Sequence, residues 1–213
     1  MYVIHGTDED NSIKILKDGM IKINEGKDDQ GIMINYNIGQ IFTQLIYKNI
    51  FNENIQKPFW IRVCFIFKKD ILKKYPFYAV GIGGFYDSFE EGMNKKSEKV
   101  VFGKGNLKIM PKLKKLKDFI NFNMKRKKSS TINFIHSHEI LFGNNLPLED
   151  CIGIVYIKTV KDNGENFNKE DEEYIKKLNK LSKKYNLFVK IGKKEKNYIK
   201  GYGINNFIEL IES

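Results

Sequence analysis

The chain has 213 residues, of which 41% are hydrophobic and 13% aromatic, and its formal net charge is +11. That length suits one domain of moderate size with a substantial core, and the composition excludes a disordered chain. Nearly all the positive charge is lysine, Arg62 and Arg126 being the only arginines, so sequence-specific base reading, which leans on bidentate arginine, is excluded; loose attraction to a nucleic acid or nucleotide is not.

In chain order, MYVIH reads as a short apolar strand, followed by the polar run GTDEDNS. SIKILKDG is then a brief helix, with Asn11 or Ser12 as the expected cap and Gly19 as the left-handed stop. MIKI continues as a strand and NEGKDDQGI as a charged loop. GQIFTQLIYKNIF is expected to turn from strand to helix near Thr43, because Leu45, Ile46 and Asn49 have helical spacing while Ile41 and Phe42 suit a sheet. PFWIRVCFIF is a buried strand rich in aromatic and branched residues, KKDILKKYP a helical turn closed by Pro76, and FYAVGIGGF a strand or glycine-softened loop.

Between Lys112 and Lys127, Leu113, Leu116, Phe119, Ile120 and Met124 mark one face of a helix with lysines opposite. TINFIHSHEILF and CIGIVYIKTV read as strands joined by the turn-rich GNNLPLED. In the tail, Asn168 is placed to cap KEDEEYIKKLNKLSKKY, whose Tyr174, Ile175, Leu178, Leu181 and Tyr185 form the buried side. NLFVKI and YIKGYGI read as strands and NNFIELIES as a last short helix. The whole is a mixed α/β chain without internal repeats, its tail a packed final layer.

The opening lacks the basic leader and the ~7–15-residue apolar stretch of a signal peptide, and no apolar run approaches the ~18 residues that span a bilayer, so a soluble, intracellular (cytoplasmic) protein is expected. Cys64 and Cys151 sit in apolar runs outside any CxxC pair, as buried free thiols do. Lysine, asparagine and isoleucine have AT-rich codons, so a genome such as that of a large DNA virus or an AT-rich microbe accounts for much of the basic excess.

Chemistry concentrates in His136-Ser137-His138-Glu139. On a strand, residues two apart share a face, so His136 and His138 can reach one metal ion, with His5 as a third ligand if the fold brings it near. A metal-dependent hydrolase is one reading of this set. A carboxylate at a strand start, as at Glu139, is alternatively placed to project into a cleft, accept a bond from a sugar hydroxyl and stabilise positive charge developing on a ribose carbon. The same residues also fit structural roles, and a basic module that binds nucleic acid or a protein partner without catalysis is a third reading. VGIGGF lacks the helix a nucleotide loop requires and reads as a turn.

Three stretches together bear a resemblance. HGTDEDNSIKILKDGMI resembles the first motif of the ADP-ribosyltransferase superfamily, a strand ending in His-Gly-Thr, then a polar turn and a helix ending IL..G. HEILFGNNLPLEDCIGIVYI is similar to its closing element, in which the catalytic Glu opens a strand and a Pro-hydrophobic turn follows, a form also found in the DNA-modifying members. GQIFTQLIY is similar to the middle element, a Gly-x-aromatic strand leading to a nicotinamide-stacking tyrosine.

The resemblance covers roughly residues 1–160 and implies a domain of two facing, twisted sheets that binds NAD as substrate, with 161–213 as an extension packed on it. It implies that His5 bonds the adenine-side ribose, that Gly6 offers its backbone to the nicotinamide carboxamide, that Thr7 follows at the turn, and that Glu139 is catalytic. The stacking tyrosine falls on Tyr47, nearer the glycine than in the polymerase-like members, with Phe42 or Tyr36 as alternatives; Ile41 and Phe42 lie where many members have Tyr-Phe. Ile4 stands where arginine-modifying toxins and RNA 2'-phosphotransferases have arginine. His136 and His138 replace an acidic residue or glutamine and would lie on the acceptor side. The implied reaction transfers ADP-ribose from NAD to a protein or nucleic-acid acceptor.

Overall fold

The computed structural model describes residues 1–23, 25, 39–47, 62–80, 100–102, 139–160, 169–195 and 204–213. These form a mixed α/β arrangement that clusters into two compact units. The first comprises Met1–Met20, Ile46–Lys68 and Pro147–Ser213, and the second Ile21–Leu45 and Lys69–Leu146.

In the first unit, β1 (Tyr2–Thr7), β4 (Val63–Lys68), β9 (Cys151–Val160) and β10 (Phe188–Glu195) lie in the order β10-β9-β4-β1. β4 is antiparallel to both β1 and β9, while β10 joins β9 in parallel. A parallel partner requires a crossover, and α3 (Lys169–Ser182) lies on that connection. β4 is central, which is why Val63, Cys64, Phe65, Ile66 and Phe67 are all buried and read as a continuous apolar run.

Helices cover both faces of this sheet. Ile4, Cys64, Ile66, Val155 and Ile157 form a core cluster with Ile46 and with Phe207, Ile208 and Ile211 of α4 (Ile204–Glu212). The opposite face, carrying Phe65, Ile154 and Tyr156, meets α3 where the Tyr156 and Tyr174 rings lie 5.1 Å apart. Burying each large apolar side chain contributes about 1.5–3 kcal/mol, which fixes the strands' inward faces.

α1 (Glu9–Asp18) starts earlier than the sequence pattern implies. Its cap is Asp8, not Asn11 or Ser12: the Asp8 carboxylate accepts the Asn11 backbone N–H at 2.8 Å, and Glu9 and Asp10 favour the positive end of the helix dipole. Ser12 lies inside the first turn and donates to the Glu9 carbonyl at 2.6 Å. Gly19 ends the helix as expected, with φ 78°, and an added Cβ there would meet the Tyr185 hydroxyl at 2.7 Å. The next carbonyl bond is made by Leu148, whose N–H donates to Gly19 at 2.9 Å.

In the second unit the order is β3-β7-β5-β6, with β3 (Ile41–Ile46, the last residue belonging to the first unit), β7 (Glu139–Phe142), β5 (Phe77–Val80) and β6 (Val100–Phe102) antiparallel to their neighbours. Ile41, Leu45, Phe77, Ile140, Leu141 and Phe142 are buried, and the Phe77 and Phe142 rings lie 6.0 Å apart. α2 (Ile71–Lys74) is the helical turn expected before Pro76. The two-residue strands β2 (Met20–Ile21) and β8 (Leu146–Pro147) complete the set. Asn145, just before β8, uses its side-chain carbonyl to accept the Ile23 N–H at 2.9 Å.

The expected turn from strand to helix at Thr43 does not occur. β3 runs extended through it, because Thr43 is buried with its hydroxyl donating to the Ile140 carbonyl at 2.6 Å and its neighbours pair with β7. The helix over 112–127, the strand over YIKGYGI apart from Ile204, which opens α4, and the loop that follows Val80 in VGIGGF fall outside the described residues.

Candidate functional site

His5, Gly6 and Thr7 are the last three residues of β1, opposite Phe65, Cys64 and Val63 of β4. All three are half-buried. Antiparallel partners share a face, so His5 and Thr7 lie on the side of the sheet that carries Phe65, Val63 and Tyr156, while Gly6 lies on the α4 side. Directly after Thr7, the turn into α1 is fixed by a polar cluster. Arg62, one residue before Val63, pairs with Glu9 at 2.8 Å, and this bond is the main reason its guanidinium is pushed further up.

Below that pair, the Tyr156 hydroxyl donates to Asp171 at 3.0 Å. The Ser12 hydroxyl is committed to a carbonyl, so the Tyr174 hydroxyl donates to Ser12, at 2.8 Å. Burial pushes the Tyr156 and Tyr174 phenols up, and for Tyr156 the Asp171 bond adds to it. Nothing in the sequence pattern marks this cluster, whose members come from α1, β9, α3 and the edge of β4.

In the second unit, Glu139 opens β7 at a register position between Gln44 of β3 and Val80 of β5. Phe42 is opposite Leu141, two residues along, so Phe42, Gln44 and Glu139 occupy one face of the sheet. Phe42 and Gln44 are half-buried, whereas Ile41, Thr43 and Leu45 on the other face are buried. The sequence pattern alone does not mark Gln44, because a helix starting at Thr43 takes it off this face.

Tyr47 follows β3 in the first unit, half-buried, with its phenol pushed up by burial. His136, His138 and Tyr36 lie outside the described residues, which therefore do not show which face the histidines take. Among the described residues, no group of three or more His, Cys, Asp or Glu side chains is arranged to hold a metal ion. Also among the described residues, no helix is long and apolar enough to cross a membrane. Cys64 and Cys151 are buried free thiols, with Cys151 pushed up to about 12 by burial while its sulfur lies 3.3 Å from the Ile66 and Gly153 carbonyls.

No family model and no curated protein matches the chain. Among solved structures, it is similar to Thermus sp. 2.9 DarT in complex with carba-NAD+, at 10% identity and a TM-score of 0.45, over 90% of this chain and 94% of that one. A superposition at that level assigns no residue a role.

Proposed function

We propose that the chain is an NAD-consuming mono-ADP-ribosyltransferase built on an ADP-ribosyltransferase-like core of residues 1–160, with 161–213 as its extension. The observation that carries this reading is the position of Glu139, first residue of β7, on one sheet face with the half-buried aromatic Phe42 and the polar Gln44. A carboxylate position beside a half-buried aromatic ring and a half-buried amide on one sheet face supports a site for a nicotinamide riboside. The ring can stack on nicotinamide, and the carboxylate can face the ribose.

In the proposed reaction the bond from ribose C1' to the nicotinamide nitrogen breaks. Its electron pair leaves with nicotinamide, which departs neutral because it was a pyridinium in NAD. Glu139 accepts a bond from the ribose 2'-hydroxyl and stabilises the oxocarbenium character at C1'. A lone pair of the acceptor then forms the new bond to C1', and the acceptor loses a proton. His5 bonds the adenine-side ribose, Gly6 presents its backbone to the carboxamide and Thr7 closes the turn. Phe42 is the preferred stacking residue; Tyr47 is the alternative. His136 and His138 flank the acceptor, a protein or nucleic acid.

The test is nicotinamide release from NAD by wild type and Glu139→Gln, with thermal midpoints recorded for both. The expected result is release by wild type, loss of at least ~100-fold in the variant, and equal midpoints. Equal rates for the two proteins, or neither release nor NAD-induced stabilisation in wild type, would overturn the assignment.

A further inference from the structure

We infer that Arg62 and Tyr174 are positioning residues for the turn that follows Gly6 and Thr7, holding the first turn of α1 from two sides so that the backbone at Gly6 keeps the geometry NAD needs; this rests on the function proposed above. From Gly6 to Ser12 the chain reads GTDEDNS, with no large apolar side chain. The apolar contacts of α1 begin at Ile13 and Leu16, both buried. Burial therefore anchors the middle of the helix and leaves the turn before it to polar contacts.

Among the described residues, Glu9 and Ser12 tie this run to the rest of the first unit. Glu9 accepts from the Arg62 guanidinium at 2.8 Å, and Arg62 directly precedes Val63, the register partner of Thr7. The pair thus closes the turn onto β4, just beyond the last rung of the β1–β4 ladder. Ser12 is three residues on, on the same side of the helix. It accepts from the Tyr174 hydroxyl of α3 at 2.8 Å and donates to the Glu9 carbonyl at 2.6 Å. The two anchors meet within one helical turn.

Both anchors are themselves held. The Arg62 carbonyl accepts the Ile157 N–H at 2.7 Å, which fixes its backbone against β9. The Tyr174 ring lies 5.1 Å from that of Tyr156, whose hydroxyl donates to Asp171, one turn before Tyr174 on α3. In a chain whose positive charge is nearly all lysine, an arginine stands at this pair, and a planar guanidinium loses less freedom in holding one fixed geometry. A partly exposed ion pair adds little to global stability. Its effect is local: it narrows the positions open to the turn.

The experiment measures kcat and KM for nicotinamide release from NAD, and the thermal midpoint with and without NAD. The proteins are wild type, Tyr174→Phe, Arg62→Gln, Arg62→Lys and Gly153→Ala. Tyr174→Phe removes one hydroxyl and keeps the ring; Arg62→Gln removes the charge and Arg62→Lys keeps it. Gly153→Ala supplies destabilisation without loss of an anchor, since its added Cβ crowds the Phe188 ring of β10. Gly6 is assigned to the carboxamide, which keeps its bonds in the reaction, so a displaced turn weakens ground and transition states alike and the loss falls on KM. The expected result is a rise in KM of about threefold to tenfold for Tyr174→Phe and Arg62→Gln, kcat within about twofold, and a smaller midpoint shift on adding NAD. Arg62→Lys should regain most of the KM, and Gly153→Ala should lower the midpoint with KM within about twofold of wild type.

If Tyr174→Phe and Arg62→Gln keep the wild-type KM, or raise it no more than Gly153→Ala does, or if Arg62→Lys regains nothing, these residues do not position the turn. An unchanged KM in a protein that turns NAD over sinks the anchors alone. A wild type that neither releases nicotinamide nor gains stability from NAD sinks the transferase reading, and the anchors fall with it.

Discussion

Gly153 is where the parallel strand of the tail meets the rest of its sheet. It pairs with Ile66 of β4 on one side and with Phe188, the first residue of β10, on the other. A Cβ added at Gly153 would lie 2.4 Å from Cδ2 and Cε2 of the Phe188 ring. Carbon atoms pack at ~3.5–4.0 Å, so in Gly153→Ala the ring has to move by roughly 1 Å or more. Phe188 packs against the core cluster and is only partly buried, so it can yield in part. The expected cost is that of an overpacked site, about 1–3 kcal/mol, or roughly 2–12 °C in Tm for a chain of this size.

Urea and thermal denaturation of wild type, Gly153→Ala, Phe188→Ala and the double variant form the assay. Once the ring is gone, alanine should be neutral or better than glycine by up to ~1 kcal/mol, since glycine in a strand interior carries excess unfolded-state entropy. The sign of the Gly153→Ala effect therefore inverts in the Phe188→Ala background. An equal loss in both backgrounds would refute the steric argument.

Three further expectations are open to the same kind of measurement. Tyr156→Phe loses the hydroxyl given to Asp171 but keeps the ring beside Tyr174, so it should cost about 1 kcal/mol by urea denaturation; an unchanged midpoint would mean that the bond contributes nothing. Asp8→Ala should cost ~0.5–2 kcal/mol and Asp8→Asn much less, by thermal midpoint, because the cap needs a side-chain acceptor for the Asn11 N–H; equal losses would show that charge rather than capping is what matters. Burial raises both thiols in the folded state, Cys151 to about 12, above the 9.0 of an exposed thiol, so their contribution is complete below pH 9 and is lost as pH rises towards 12. Stability should therefore fall between pH 9 and 10, by up to ~1.4 kcal/mol per unit for each thiol, and a flat profile there would contradict their burial.

The elements that pattern alone made legible are those whose fate is local. β1, β4 and β9 follow from runs of branched and aromatic residues bounded by turn residues, α2 from the helical turn closed by Pro76, and α3 from its 3.6-residue apolar period and its order of acids before lysines. Gly19 announced the end of α1 because a left-handed stop depends on the residue itself. The start of that helix is less legible: Asp8, Asn11 and Ser12 are all competent caps, and only the chain's path shows which one lies outside the first turn.

At the candidate site the division is sharper. His5-Gly6-Thr7 and Glu139 stand out as residue types at motif spacing, which one sequence suffices to show. The pairing of Glu139 with Gln44 is a matter of register between strands ninety-five positions apart, set by the Thr43 hydroxyl and by the burial of Ile41 and Leu45. Residues 41–46 fit a helix or a strand about equally well by themselves, and it was the partner strand β7 that made them extended. Local sequence thus determined which side chains were available for chemistry; pairing across the sheet decided which of them share a face, because hydrogen-bond register is a property of two strands and is written in neither alone.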